Sequence, residues 1–218
     1  MSCAICEVRK EKRFCPAVHG RICAQCCGEN REVTLDCPTD CIYLRQAREH
    51  EGPRSLDQID KSTLFFEVEL GEQFVYEHEH LLAGLTFSLA RTAKADRTLN
   101  DSDLIASLTA FIKTMLISVN SGLHVDSPVT NSAHQAVIAD LRRVIQQYRD
   151  TERQHLGMER LRDSEVLRAL VFMVRTAQAR TSGRPKSRAF VQFLLSQFPE
   201  GERLASAAGD QGSRIIMP

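Results

Sequence analysis

Beyond residue 66, apolar residues recur every three or four positions, which is the spacing of one face of an α-helix. The first stripe lies within Val68–Ala93 and contains Leu70, Phe74, Leu81, Leu85 and Leu89, with Val75, Leu82 and Ala93 beside it. The second begins after Asn100 or Asp101, either of which is a good N-cap, and contains Leu104, Leu108, Phe111, Met115 and Val119. Both stripes predict amphipathic helices, the second ending near Asn120.

Three further segments complete the predicted helical part of the chain. Thr130 or Asn131 can cap a third helix that runs to about Arg153. Asp163 or Ser164 can cap a fourth, in which the expected buried residues are Val166, Leu167, Leu170, Val171 and Val174. Gly183-Arg184-Pro185 ends that helix, and Ser187–Phe198 predicts a fifth with Phe190, Phe193 and Leu194 on its apolar face.

These segments predict a mainly α fold of two parts. A cysteine-rich region (residues 1–52), which includes a short helix over Ile42–Glu51, precedes a connector (residues 53–66) and a bundle of four to five helices (residues 67–200). The Gly/Ala/Ser-rich residues 201–218 predict a disordered tail.

All eight cysteines lie within the first 41 of the 218 residues. The first 25 residues contain no apolar signal-peptide core, and no apolar stretch approaches the roughly 18 residues of a membrane span, so we expect a cytoplasmic chain. Thiols in a reducing compartment favour metal binding over disulfides. Zinc is the expected metal, with an iron–sulfur cluster and disulfides as the alternatives.

The spacing of the cysteines predicts four ligand pairs. In order they are Cys3 with Cys6, Cys15 with His19, Cys23 with Cys26 or Cys27, and Cys37 with Cys41. Pairs one and three can hold one zinc ion and pairs two and four a second. In the third pair Cys26 fits a knuckle turn and Cys27 one helical turn, and we slightly favour Cys27. His50 is a substitute for His19, and if neither histidine binds, one zinc ion is expected.

This interleaved arrangement resembles zinc fingers of the MYND and HIT type, which have the same order of pairs and similar gaps. The resemblance covers Cys3–Cys41, about a fifth of the chain. It implies a double-zinc cross-brace that serves protein–protein contact. The segments Cys23–Arg31 and Cys37–Leu44 are also similar to the opening of a group of bacterial proteins, a similarity that implies no particular activity.

Charge and motifs argue against several function classes. Lys+Arg and Asp+Glu both number 28, and residues 1–52 carry eight of each sign, whereas a nucleic-acid finger would carry an excess of Lys and Arg. No Gly-x-Ser-x-Gly turn or phosphate loop occurs. Glu77-x-x-His80 and Glu152-x-x-His155 have the spacing of di-iron ligands, but the second and fourth helices lack the mid-helix carboxylates such a site needs.

The balanced total charge conceals two oppositely charged segments. Residues 49–82 hold nine acidic and two basic residues, and residues 141–188 hold five acidic and twelve basic residues. They predict either complementary neighbouring helices or a basic surface for an acidic partner. Within the basic segment, Arg180–Arg188 has a Gly-Arg-Pro core similar to that of AT-hooks, which implies minor-groove contact.

The leading hypothesis is therefore a non-enzymatic adaptor whose cysteine-rich region docks another protein. The alternative is a zinc-containing, nucleic-acid-binding regulator that uses the basic Arg142–Arg188 surface. A metal-dependent enzyme in the bundle is the third hypothesis.

Overall fold

A computed structural model describes residues 1–51, 54–123 and 129–198. The predicted tail at 201–218 lies outside the described residues. The fold is mainly α, as predicted: it is 62% helical, and the described residues form eight α-helices and one two-stranded hairpin.

The cysteine-rich region holds the hairpin and two short helices. Their bounds are Arg13–Cys15 (β1), Gly20–Ile22 (β2), Ala24–Asn30 (α1) and Ile42–His50 (α2). The strands are antiparallel, with Cys15 opposite Gly20. The α2 helix ends one residue before the predicted Glu51.

The helical bundle contains the remaining six helices. Their bounds are Phe74–Glu77 (α3), Glu79–Ala95 (α4), Asp101–Ser121 (α5), Ser132–Leu156 (α6), Asp163–Arg180 (α7) and Ala189–Gln197 (α8). Helix α5 packs against α6 and α7, while α4 packs against α6 and α8. The predicted stripes supply the core, because Leu81, Leu85, Leu104, Leu108 and Leu170 are fully buried.

The first predicted helix differs from the observed one. It does not begin at Val68 but at Phe74, and it breaks at His78 between α3 and α4. The cause is a tertiary contact, since the Arg175 guanidinium on α7 donates hydrogen bonds to the carbonyl oxygens of Leu64, Phe65 and Val68. Carbonyl groups held in this way are not available to a continuing helix.

Helix starts follow the predicted capping chemistry in two of three cases. Asn100 and Asp103 form a reciprocal capping box at α5, and the Asn131 side chain accepts from the first turn of α6. Helix α7 instead takes Arg162 as its N-cap residue, so Asp163 is its first residue and not its cap.

Helix α5 is long and apolar enough to cross a membrane by length and composition, with a mean hydropathy of 1.5 over 18 residues. Its apolar residues Leu104, Leu108 and Ile112 are nevertheless buried in the bundle core. Composition alone therefore does not separate this core helix from a membrane span.

The loop between α7 and α8 (residues 181–188) joins the bundle to the cysteine-rich region. Arg184 donates to the carbonyl oxygens of Gly28 and Arg31 at 3.2 and 2.8 Å, and the Lys186 amide donates to the carbonyl oxygen of Glu32 at 2.8 Å. The Glu32 carboxylate is 2.6 Å from Arg48 and accepts from the Ser182 hydroxyl at 3.1 Å. The loop thus holds the backbone immediately after α1.

Candidate metal centre

Four thiols from two turns of the cysteine-rich region converge on one point. The Sγ atoms of Cys3, Cys6, Cys23 and Cys26 all lie within 4.8 Å of one another. Cys3 and Cys6 belong to a tight N-terminal turn that is closed by the Glu7 amide donating to the Cys3 carbonyl. Cys23 is the N-cap of α1 and Cys26 lies in its first turn.

Backbone N–H groups point at two of these sulfur atoms. The amides of Cys23 and Ile5 donate to Cys3 Sγ at 3.2 and 3.5 Å, and the amide of Cys26 donates to Cys23 Sγ at 3.4 Å. Such donors favour a thiolate over a thiol. They also help to fix the orientation of these two sulfur atoms.

The pKa values of two of these thiols, Cys3 and Cys26, are shifted in opposite directions. Desolvation raises the pKa of Cys3, but the backbone N–H groups of Cys6, Cys23 and Ile5 together lower it to about 6. Desolvation, together with the neighbouring thiols, raises the pKa of Cys26 to about 12. Crowded thiolates repel one another, and a bound divalent cation would offset that repulsion.

The donor set fits a metal ion of tetrahedral preference. Thiolates bind zinc at about 2.3 Å, which places neighbouring sulfur atoms about 3.8 Å apart in a tetrahedron. The observed sulfur atoms need to close by about 1 Å or less to reach that geometry. A four-cysteine group of this kind can therefore hold one metal ion with a complete shell of protein ligands.

The other four cysteines lie around a second point. Cys15, Cys27, Cys37 and Cys41 line one cavity of about 10 Å³ beneath the hairpin. Burial raises the pKa of Cys37, as do the nearby Cys15 and Cys41. Within the described ranges, only the first group brings three or more metal-ligating atoms within 4.8 Å of one another. The sulfur atoms of the second set are therefore less closely grouped than those of the first.

Adjacent cysteines on α1 face the two different sets. Cys26 joins Cys3, Cys6 and Cys23, which reverses the slight preference for Cys27 in that position. Successive residues of an α-helix are turned by about 100°, so Cys27 faces the cavity on the other side. The spacing suggests that Cys26 and Cys27 compete for one ligand position. In the structure they do not, because each faces a different set of cysteines.

Neither histidine considered from the spacing joins a cysteine set. His19 is an exposed residue in the left-handed conformation, with φ of 49°, after the turn at Pro16–Val18. His50 is exposed at the end of α2. Cys27, and not His19, lines the cavity that Cys15, Cys37 and Cys41 share. The overlooked signal was the Cys26-Cys27 doublet itself, because adjacent helical residues can serve two sites.

An arginine accompanies each set of thiols. Arg9 hydrogen-bonds Cys23, which raises the pKa of that guanidinium, and Arg13 donates to Cys27 Sγ at 3.7 Å. The Arg13 guanidinium also lies 4.5 Å from the centre of the Tyr43 ring. A divalent ion with four thiolates carries a net charge of −2, which these guanidinium groups reduce.

The other candidate residues have structural contacts or lie on the surface. Glu77 and His80 are exposed, as is His155. The Glu152 carboxylate accepts from the amides of Arg160 and Leu161, so it stabilises the turn before α7. Comparisons of the chain with family models, curated proteins and solved structures gave no match.

Proposed function

We propose that the chain is a non-enzymatic, zinc-binding interaction protein, in which structural zinc shapes the cysteine-rich region into a docking surface for another protein. The observation that carries the proposal is the convergence of four thiols from Cys3, Cys6, Cys23 and Cys26. Four protein ligands complete a tetrahedral shell and leave no place for the water molecule that a hydrolytic zinc site requires.

The proposal includes a second zinc ion held by Cys15, Cys27, Cys37 and Cys41. Support comes from their shared cavity and from Arg13, whose guanidinium lies against Cys27. The two proposed sets interleave along the chain, although not as the regular pairs that the spacing predicted. The proposed ligands differ from that prediction at two places: Cys26 takes the position for which Cys27 was slightly favoured, and Cys27 takes the place of His19.

The docking surface is formed by apolar side chains that the cysteine-rich region leaves exposed. These are Ile5, Val8, Phe14, Val18 and Ile42, with exposed fractions from 37% to 87%. A small region this rich in exposed apolar groups suits an apolar segment of a partner protein. The bundle holds the backbone at Gly28–Thr34 and thereby fixes the orientation of this surface.

The positive charge of the basic segment suggests nucleic-acid binding, but the contacts of its side chains give that alternative less support. Arg184 and Lys186, the centre of the predicted basic loop, donate to carbonyl oxygens of Gly28, Arg31 and Thr34. Arg188 likewise donates to the carbonyl oxygen of Arg97. We therefore favour the protein-docking function.

Metal analysis tests the zinc part of the proposal. Mass spectrometry of the intact chain under native conditions is expected to find two zinc ions. His19→Ala should keep both ions, whereas Cys27→Ser should lose the second ion first. A chain with one zinc ion would contradict the second site, and the loss of an ion from His19→Ala would contradict the four cysteines proposed as its ligands. Iron in place of zinc would contradict the proposal itself.

The docking part is tested by pull-down from the native host with matched variants. Val8→Asp and Phe14→Ser alter exposed apolar residues of the cysteine-rich region, whereas Tyr76→Ser alters an exposed aromatic residue of the bundle. We expect the first two variants to lose a partner that the wild-type chain and the Tyr76 control retain. Equal retention by all chains would reject the docking surface.

A further inference from the structure

A concave, arginine-rich groove lies where the bundle meets the cysteine-rich region. It has a volume of about 630 Å³, within the usual range of small-molecule sites, and Arg48, Arg54, Arg180 and Arg184 line it. Glu51 is the one acidic side chain among the described residues that line it. The α2 helix, the connector, the first half of the loop at 181–188 and the helix ends on either side of that loop contribute to this groove.

Two of the four guanidinium groups already have carboxylate partners. Arg48 lies 2.6 Å from the buried Glu32, and Arg184 lies 3.4 Å from Glu51 while also donating to carbonyl oxygens. Arg48 also donates to Gln192 of the bundle, so both arginines make contacts across the boundary between the two regions.

The other two guanidinium groups have no acidic partner within the part of the chain that the structure describes. Arg54 donates only to neutral acceptors, the carbonyl oxygen of Gln58 and the side chain of Gln178. Arg180 lies 4.3 Å from the centre of the Phe193 ring, which orients its planar group without neutralising it. The groove therefore contains two uncompensated positive charges on side chains that are already positioned.

Gly183 allows Arg54 to approach the loop. Its φ is +74°, and a Cβ atom at this position would lie 2.7 Å from Arg54 Cζ. A side chain here would push the guanidinium away and would strain the backbone. The absence of a side chain at Gly183 thus helps to place Arg54 in the groove.

We propose that this groove binds the phosphate group of a small soluble molecule, with Arg54 and Arg180 as its main ligands. The planar guanidinium group matches phosphate oxygens in a two-point hydrogen-bonded contact, and the dianion would neutralise both charges. Thr181 and Ser182 also line the groove, but the Ser182 hydroxyl already donates to Glu32, so the two arginines carry the proposed binding. This inference goes beyond the zinc-dependent docking function and does not require it.

Calorimetric titration of the full, zinc-loaded chain tests the inference. The probes are inorganic phosphate, pyrophosphate and glycerol phosphate, with sodium chloride at equal ionic strength as the reference. We expect saturable binding of the phosphate compounds. Arg54→Gln and Arg180→Gln should each weaken it about tenfold, which is the usual effect of losing one charge-assisted hydrogen-bonding group.

Arg168→Gln is the matched control, because Arg168 is an exposed arginine on the same helix, twelve residues and about 18 Å before Arg180. Its binding should equal that of the wild-type chain, and helicity and zinc content should be unchanged in all three variants. Zinc content measured in the same samples separates failure of this inference from failure of the zinc function.

Three results would overturn the inference. The first is a heat of binding for phosphate that matches that of chloride. The second is a loss of affinity in Arg168→Gln equal to that in Arg180→Gln. The third is binding to vesicles that contain phosphatidic acid without binding to the soluble phosphate compounds.

Discussion

The cysteine-rich region and the helical bundle are stabilised by different means. Thirty buried apolar residues form one continuous cluster in the described part of the bundle and its connector. The buried cluster of the cysteine-rich region has seven members, and five of them are cysteines; Ile22 and Leu35 are the other two. Apolar burial can stabilise the bundle, whereas a core composed mostly of thiols would depend on an ion bound by those thiols.

The contact between the two regions is polar. The Ser182 hydroxyl and the Lys186 amide donate to Glu32, and Arg184 donates to two carbonyl oxygens at the end of α1. In the opposite direction, Arg48 donates to the side chain of Gln192. Glu32 is almost fully buried and has a φ of +53°, so the backbone after α1 adopts its left-handed conformation in order to make this contact. Contacts of this kind fix an orientation but contribute little apolar burial.

Removal of the metal should have the largest effect and should separate the two regions. Cys23→Ser, or a strong chelator, is expected to unfold the cysteine-rich region, because metal binding to structural thiolate sites supplies on the order of 10 kcal/mol. Helices α4–α8 should persist. Amide hydrogen exchange measured by mass spectrometry, together with circular dichroism, distinguishes local from global unfolding.

Wholesale loss of helicity after metal removal would show that the bundle depends on the cysteine-rich region. Ser2→Ala, next to the first ligand but exposed, is the control and should keep both metal and protection from exchange.

A cavity in the bundle perturbs the other region of the molecule and should leave the cysteine-rich region intact. Leu170→Ala removes a fully buried side chain from α7 and should lower the free energy of unfolding by about 2–5 kcal/mol. Zinc content should be unchanged, since the cysteine sets do not contact Leu170. Urea denaturation with parallel metal analysis measures both, and the exposed Arg168→Ala on the same helix is the control. Loss of zinc on this substitution would contradict the independence of the two cores.

The buried carboxylate of Asp101 gives a smaller effect. It accepts from the Ser187 hydroxyl at 2.7 Å and from the amides of Phe190 and Val191 at the start of α8. Asp101→Ala would leave these buried donors unpaired and should cost about 2–4 kcal/mol in urea denaturation. Asp101→Asn keeps one acceptor and should cost less. Equal losses in both variants would mean that the one acceptor kept by Asn contributes nothing and that the whole carboxylate is required.

Much of the bundle could be predicted from sequence because its signals are local. A period of 3.6 residues identifies the buried faces of α5 and α7, and Asn100 and Asn131 mark helix starts through contacts within three residues. The late start of the first predicted helix was not predictable in this way. It depends on Arg175, more than a hundred residues further along the chain.

The candidate metal site was predictable in its composition but not in its pairing. Cysteine spacing indicates which residues can reach an ion, and all eight cysteines lie in the two sets. The assignment of Cys26 and Cys27 depends on where α1 begins, which is set by Cys23 as its N-cap. The intramolecular contacts of Arg184 and Lys186 were likewise not predictable, because a basic loop has the same sequence pattern whether it contacts a partner or its own chain.

Arg184→Ala should have the smallest effect on stability. It tests whether the bundle stabilises the metal sites of the cysteine-rich region. It removes two hydrogen bonds to carbonyl oxygens at the end of α1, the helix that carries Cys26 and Cys27. We expect a loss of about 1–2 kcal/mol and a several-fold faster release of zinc to a chelator, because the backbone after α1 is held less firmly. Arg160→Ala, an exposed arginine far along the chain from this loop, should release zinc at the wild-type rate. Unchanged release from Arg184→Ala would mean that the bundle orients the cysteine-rich region without stabilising its metal sites.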